Sequence, residues 1–273
     1  IKQCLVGSEM CIRDRRKVVE CPLKLIDNHY HFDFVEYERK LSGDEKMVIL
    51  CSPHNPGGRV WTKNELQEVA KFAKKHNLVL VSDEIHHDLV YPNKNHTVMP
   101  IADPSVCDRL VMMTATTKTF NIAGAHSGNV IISNPNLRQK FSQRIKALGI
   151  SPNSFGLFMA TAAYSPEGAE WLDELLHYID GNRVIFDREV NKIPGLSSMP
   201  LEGTYLAWVD FSGTGIEEEE FIYRVQEKAK IAVNHGSTFG TGGEKYLRFN
   251  LATPRTLVVE ATKRLKDAFS DLQ

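Results

Sequence analysis

Apolar residues recur along this chain in two alternating rhythms. Short runs such as "MVILCS" (47–52), "LVLVS" (78–82), "RLVMMT" (109–114) and "NVIIS" (129–133) have the length and composition of buried strands. Between them the spacing turns helical. Thr62 and Glu65 form a T-x-x-E capping box, and Leu66, Val69, Ala70 and Ala73 follow at intervals that give the helix one buried face. Two longer helices are expected at about 135–149 and 166–190, the second with apolar positions at Trp171, Leu175, Leu176, Ile179 and Ile185. Strands alternating with covering helices predict an α/β fold with a mostly parallel sheet, buried on both faces.

After "KIPGLSSMPLEG" the pattern changes. "TYLAWVDF" (204–211), a helix near 217–230, "YLRFNL" (246–251) and a closing helix from Arg255 predict a smaller α+β domain. The expected organisation is a partial large domain over 18–165, a long connecting helix over 166–190 and a small C-terminal domain over 191–273. No internal repeat or low-complexity segment interrupts it. Residues 1–17 stand apart. "CLVGSEMCIRDR" (4–15) has no helical or strand period and resembles the translation of a sequencing-library adapter. On that reading Cys4 and Cys11 carry no biological information and the natural N-terminal part is missing; the alternative is a disordered native tail.

Composition narrows the function classes. The chain has 273 residues, 42% of them apolar, enough for a sizeable core. Its 33 basic and 34 acidic residues are interspersed and leave a net charge of -1, so no polyanion-binding stripe points to nucleic acid. The longest wholly apolar runs are strand-sized and predict no membrane span. Five cysteines without a CxxC pair fit a reducing compartment, and a cytoplasmic location is expected.

In a parallel sheet, chemistry collects at the carboxyl ends of the strands. "CSPHNPGG" follows the first strand, "SDEIHHD" the second and "TATTKTFNIAG" the third, so Asn55, Asp83 and Lys118 are expected to converge on one crevice. Each alone has a plainer reading: Asn55 as a turn residue, Asp83 as a helix cap, Lys118 as a solvated charge. In order, at successive strand ends, they are far more specific. A metal site is the rival for "SDEIHHD". Adjacent His86 and His87 cannot both aim at one centre from a regular helix or strand, however, and no H-x-x-x-H or H-E-x-x-H pattern supports them, so no metal is expected.

"SPHNPGGRVW", "VSDEIHHDL", "TKTFNIAG" and "YLRFNLATPR" resemble the motifs of fold type I pyridoxal-phosphate enzymes of the class I/II aminotransferase superfamily. The match runs from about Val18 to the C-terminus. Within the superfamily it is most similar to the cystathionine beta-lyase, or cysteine-S-conjugate beta-lyase, group (MalY/PatB type), chiefly because His86 stands where ordinary aspartate aminotransferases usually carry tyrosine. The resemblance implies a three-layer large domain with a mostly parallel sheet, pyridoxal 5'-phosphate as cofactor, an amino-acid substrate and a homodimeric parent. It implies that Asp83 holds the protonated ring nitrogen and that Lys118 carries the cofactor and moves the substrate's α proton. Asn55, and His86 by its imidazole N–H, would face the ring's phenolic oxygen.

Arg248 matches the superfamily arginine that binds the substrate α-carboxylate with a guanidinium fork. Its alternative is a surface arginine on an edge strand. Alternation favours function, since Leu247 and Phe249 would point to the opposite face. Arg255, beside Pro254, reads as a helix-start or structural residue, and "HGSTFGTGG" (235–243) resembles the loop that closes over the site. Two positions depart from the pattern. Where many members place a phosphate-holding arginine eight residues after the lysine, this chain has His126, and the often-serine position three before it is Ala115. Thr114, Thr116 or Thr117 could supply the hydroxyl, and Thr117 is the one named for the cofactor. The activity implied for the parent protein is β-elimination from cystathionine or another cysteine S-conjugate, releasing a thiol, pyruvate and ammonia, and this fragment is expected to be impaired. An aminotransferase, and a non-catalytic or regulatory protein keeping the cofactor fold, are the alternatives.

Overall fold

The computed structural model describes residues 17–272, so the adapter reading of the N-terminal segment lies, but for Lys17, outside the described residues. In chain order the first elements are β1 (Lys24–Ile26), β2 (His29–His31), α1 (Phe34–Lys40), β3 (Met47–Cys51), α2 (Lys63–Lys75), β4 (Val79–Asp83), α3 (Met99–Ala102) and β5 (Leu110–Thr114). They are followed by α4 (Thr116–Thr119), β6 (Asn129–Ile131), α5 (Pro135–Ala147), α6 (Ser154–Ala163) and α7 (Pro166–Val190). The remainder is β7 (Ser197–Ser198), β8 (Leu206–Asp210), α8 (Glu218–Tyr223), β9 (Asn234–His235), β10 (Tyr246–Asn250) and α9 (Arg255–Ala268). The chain divides into two compact units. One holds residues 34–53 and 60–175; the other holds 54–59, the described residues up to Asp33 and everything from Leu176.

The first unit is built on a four-stranded sheet in the order β3-β4-β5-β6. β3, β4 and β5 run parallel, as the alternating pattern predicted, with Cys51 level with Asp83 and Asp83 level with Met113. The capping box forms: Thr62 Oγ1 accepts from the Glu65 N–H at 3.3 Å, and Glu65 Oε2 accepts from the Thr62 N–H at 2.8 Å. Leu66, Val69, Ala70 and Ala73 are buried as expected, with Phe72 beside them. β6 pairs antiparallel with β5 within a sheet that remains mostly parallel, and it departs from the expected burial in that its three residues are exposed. Trp171 also departs, being 44% exposed, and its indole stacks on Phe120 at 5.5 Å.

The second unit carries an antiparallel sheet in the order β7-β8-β10-β9. Leu247 and Phe249 of β10 are buried while Arg248 between them is half-buried, the alternation that period two requires. Trp208 stacks on Tyr246 at 5.0 Å, and Phe211 stacks on Phe221 at 4.9 Å. The helix expected near 217–230 changes form midway. α8 gives way to a π-helical turn at Arg224–Lys228, closed by the Ala229 N–H on the Arg224 carbonyl at 2.8 Å. Arg224 itself reaches Glu220 at 2.7 Å and Asp271 at 2.5 Å. A hairpin of β1 and β2 also belongs to this unit. Its turn places Asp27 and Asn28 at φ 49° and 59°, the left-handed pair that a tight hairpin favours.

Among the described residues, no helix is long and apolar enough to cross a membrane.

Candidate active site

The carboxyl edge of the parallel sheet is where the first unit concentrates its polar groups. Asp83 closes β4 and is 1% exposed. Its Oδ1 accepts from the Ile85 N–H at 3.3 Å, whereas Oδ2 is buried with no hydrogen-bond partner among the described residues. Burial pushes its carboxyl from 3.8 up to about 6; the Ile85 N–H opposes the shift, the neighbouring Glu84 adds to it and the Lys118 cation opposes it. A buried carboxylate oxygen left open at a strand end is the acceptor that a protonated aromatic nitrogen needs.

Lys118 sits one strand over, on the single turn of α4 that follows β5. Thr116, Thr117 and Thr119 of that turn are buried and Lys118 is half-buried. The turn is closed by the Phe120 N–H on the Thr116 carbonyl at 3.0 Å and the Ile122 N–H on the Thr117 carbonyl at 3.1 Å. Lys118 is near enough to Asp83 for its charge to act on that carboxyl, so the amine and the open carboxylate share one electrostatic environment.

Glu84 and His87 of "SDEIHHD" are tied into hydrogen bonds around Asp83. Glu84, 1% exposed, accepts from Ser82 Oγ at 2.7 Å and from the Met99 N–H at 3.1 Å, and its Oε2 lies 2.8 Å from His96 Nε2. His87 turns away to the Glu84 carbonyl and to Asp88. His86 is 3% exposed in the same turn.

The second unit brings Asn55 and Arg248 together. Asn55 lies in the 54–59 loop, and its Oδ1 accepts from Arg248 Nη1 at 2.8 Å. Arg248 Nη2 donates to Asn234 Oδ1 at 2.7 Å, and the guanidinium lies over the Phe239 ring at 4.7 Å. The loop is anchored from behind: Arg59 pairs with Glu202 at 3.1 Å and also donates to the Tyr30 carbonyl. Gly58, at φ 66°, offers its carbonyl to the Glu202 and Gly203 N–H groups, and a Cβ there would collide with Leu201. Next to Asn55, His54 is fully enclosed; burial, reinforced by the Arg59 charge, pushes its imidazole down to about 3.

Arg255 is structural, as expected. It donates to the Tyr178 carbonyl at 2.8 Å and to Asn182 Oδ1 at 3.2 Å, stitching the start of α9 to α7. Of the hydroxyls considered for the cofactor, Thr114 accepts from Asn129 Nδ2 at 3.3 Å and Thr117 is buried on the lysine turn. His126 is exposed with a left-handed backbone at φ 45°. Sequence reasoning passed over Asn234, and it named the loop that holds Phe239 without that ring; both lie within 14 residues of Arg248 and meet it because β9 pairs with β10. It also passed over Ser52 and Ser127, whose hydroxyls are buried with no hydrogen-bond partner among the described residues. Both serines adjoin the sheet edge that carries Asp83, Ser52 just after β3 and Ser127 two residues before β6.

Comparison with known proteins agrees with the motifs. The chain is 34% identical over 264 residues to cystathionine beta-lyase PatB of Bacillus subtilis, covering 96% of this chain and 68% of the relative. It is 31% identical to protein MalY of Escherichia coli, covering 93% of this chain and 65% of MalY. The chain thus spans about two thirds of the length of these relatives. Among solved structures it superposes on cystalysin of Treponema denticola, which contains pyridoxal 5'-phosphate, with a TM-score of 0.92, 37% identity and coverage of 97% and 68%. It also superposes on a pyridoxal-phosphate-bound C-S lyase of Staphylococcus hominis with a TM-score of 0.88, 29% identity and coverage of 96% and 67%. The expected α/β fold type I architecture is borne out by these neighbours. Residues 8–265 match the model of the aminotransferase class I and II family, and the chain belongs to that family.

Proposed function

We propose that this protein acts as a pyridoxal-phosphate-dependent carbon-sulfur β-lyase, cleaving cystathionine or another cysteine S-conjugate with water to a thiol, pyruvate and ammonia. The observation that carries the reading is Asp83: a buried carboxylate whose Oδ2 is open, level across the sheet with the strand that leads into the Lys118 turn. Those residues fit the cofactor. Asp83 Oδ2 would accept from the ring N–H, and the Lys118 amine would bond to the cofactor's aldehyde carbon. When bound, the cofactor supplies the electron sink that makes the α proton acidic.

The chain's own residues do the rest. Lys118 would be the base for the α proton of a bound substrate. Asp83 keeps negative charge at the end of β4. Its Oδ1 is held by the Ile85 N–H, which leaves Oδ2 open. Arg248 receives the substrate α-carboxylate, with Asn55 beside it. His86 and Thr117 complete the proposed cofactor contacts. The choice of lyase over aminotransferase is supported by the relatives' names, cystathionine beta-lyase and C-S lyase.

The test is to incubate the protein with pyridoxal phosphate and cystathionine and to follow pyruvate and free thiol. Both are expected from the protein as given and neither from Lys118→Ala. Product that appears only when a second keto acid is supplied would replace the lyase with an aminotransferase. Undiminished pyruvate from Lys118→Ala would remove Lys118 from its role.

A further inference from the structure

Asp88, five residues beyond Asp83, takes no part in the chemistry above, yet it touches the lysine turn. Its Oδ2 accepts from Thr119 Oγ1 at 3.0 Å, and Thr119, 1% exposed, directly follows Lys118. Its other oxygen lies 3.1 Å from His87 Nε2. His87 Nδ1 is 2.8 Å from the Glu84 carbonyl, an acceptor that only an N–H can satisfy. Glu84 is in turn fixed by Ser82, the Met99 N–H and His96. Hydrogen bonds thus link the end of β4 through Glu84 to His87, whose Nε2 lies beside Asp88 Oδ1, and a further hydrogen bond joins Asp88 Oδ2 to the residue beside Lys118. The Asp88 charge also acts on Tyr164, whose phenol is raised above the usual range chiefly by burial and secondarily by that charge.

Consecutive side chains on a helical turn diverge by about 100°. A Thr119 pinned inward therefore sets the direction in which Lys118 leaves the backbone. We propose that Asp88 is a positioning residue: through its bond to Thr119 it holds the α4 turn in the orientation that presents the Lys118 amine, coupling the strand end that bears Asp83 to the turn that bears the lysine. The proposal rests on Lys118 being the cofactor-carrying lysine. A merely structural staple between loop and turn would affect stability and leave the reactivity of one amine unchanged relative to the others.

Labelling separates these. The 273-residue protein is incubated with limiting pyridoxal phosphate and sodium cyanoborohydride. The lysine nitrogen bonds to the aldehyde carbon with loss of water, and hydride from the reagent fixes the adduct as a secondary amine. Peptide mass analysis then gives the rate at Lys118, with exposed Lys71 and Lys192 as internal standards. Asp88→Ala and near-isosteric Thr119→Val are expected to slow labelling of Lys118 about tenfold, the loss of one buried hydrogen bond. The standards are expected to stay at the wild-type rate, and Thr119→Ser, which keeps the hydroxyl, is expected to restore Lys118 labelling. Equal Lys118 rates in wild type, Asp88→Ala and Thr119→Val overturn the proposal while leaving Lys118 in its role. A Thr119→Ser protein as slow as Thr119→Val also overturns it, by assigning the effect to packing. Absence of preferential labelling at Lys118 in the wild type overturns the reading of that lysine and the proposal with it.

Discussion

The open carboxylate of Asp83 should be visible in the pH dependence of stability. In the folded protein, burial raises its carboxyl from 3.8 to about 6. A group whose folded value is raised contributes stability that is fully present below its unfolded value and is lost as pH rises through the folded one. The window is therefore pH 4 to 6, and a shift of about two units corresponds to about 3 kcal/mol. Asp83→Asn keeps the oxygen that accepts from Ile85 but cannot ionise. Urea unfolding of both proteins, taken at intervals from pH 4 to 7.5, should show the variant gaining on the wild type by that amount and then running parallel to it. A cation at Oδ2 removes the penalty, so saturating pyridoxal phosphate should flatten the wild-type profile between pH 4 and 6. Parallel profiles for the two proteins across the whole range, without cofactor, would refute the reasoning.

His54 titrates in the opposite sense. Its folded value is lowered from 6.5 to about 3, so its contribution is present above pH 6.5 and is lost as pH falls. His54→Gln should spare the protein a loss of about 3 kcal/mol between pH 6.5 and 4, measured by the same unfolding series. Arg248→Lys keeps the charge but loses the fork that reaches Asn55 and Asn234 at once. Steady-state kinetics with cystathionine should show KM raised by about tenfold or more with kcat much less affected, and a change confined to kcat would contradict carboxylate binding.

The parts of the fold legible in the sequence are those governed by neighbours along the chain. The capping box at Thr62 and Glu65 started α2 where expected, and α7 runs over the predicted 166–190 because Pro166 opens an uninterrupted helical period. Asp83 and Lys118 could be singled out because strand ends are local signals. What was not legible depends on distant partners. The π-helical turn at Arg224 involves Asp271, 47 residues away, and the partners of Arg248 come from a loop 193 residues before it and from β9. The direction of β6 is set by its pairing with β5, which apolar content does not encode. The β1-β2 hairpin did carry a local signal, in Asp27 and Asn28, that went unread.

The guanidinium of Arg248 already has a neutral carboxamide oxygen at each of its two ends, Asn55 on one and Asn234 on the other. A ligand that displaces either oxygen exchanges with a bond the protein makes to itself. An ester or amide carbonyl would swap one neutral acceptor for another and gain almost nothing. A carboxylate would replace a neutral bond with a charge-assisted one of roughly twice the strength. The pair of asparagines thus sets a threshold that favours anions over their uncharged isosteres, so discrimination arises from the difference between two hydrogen bonds as well as from the strength of either.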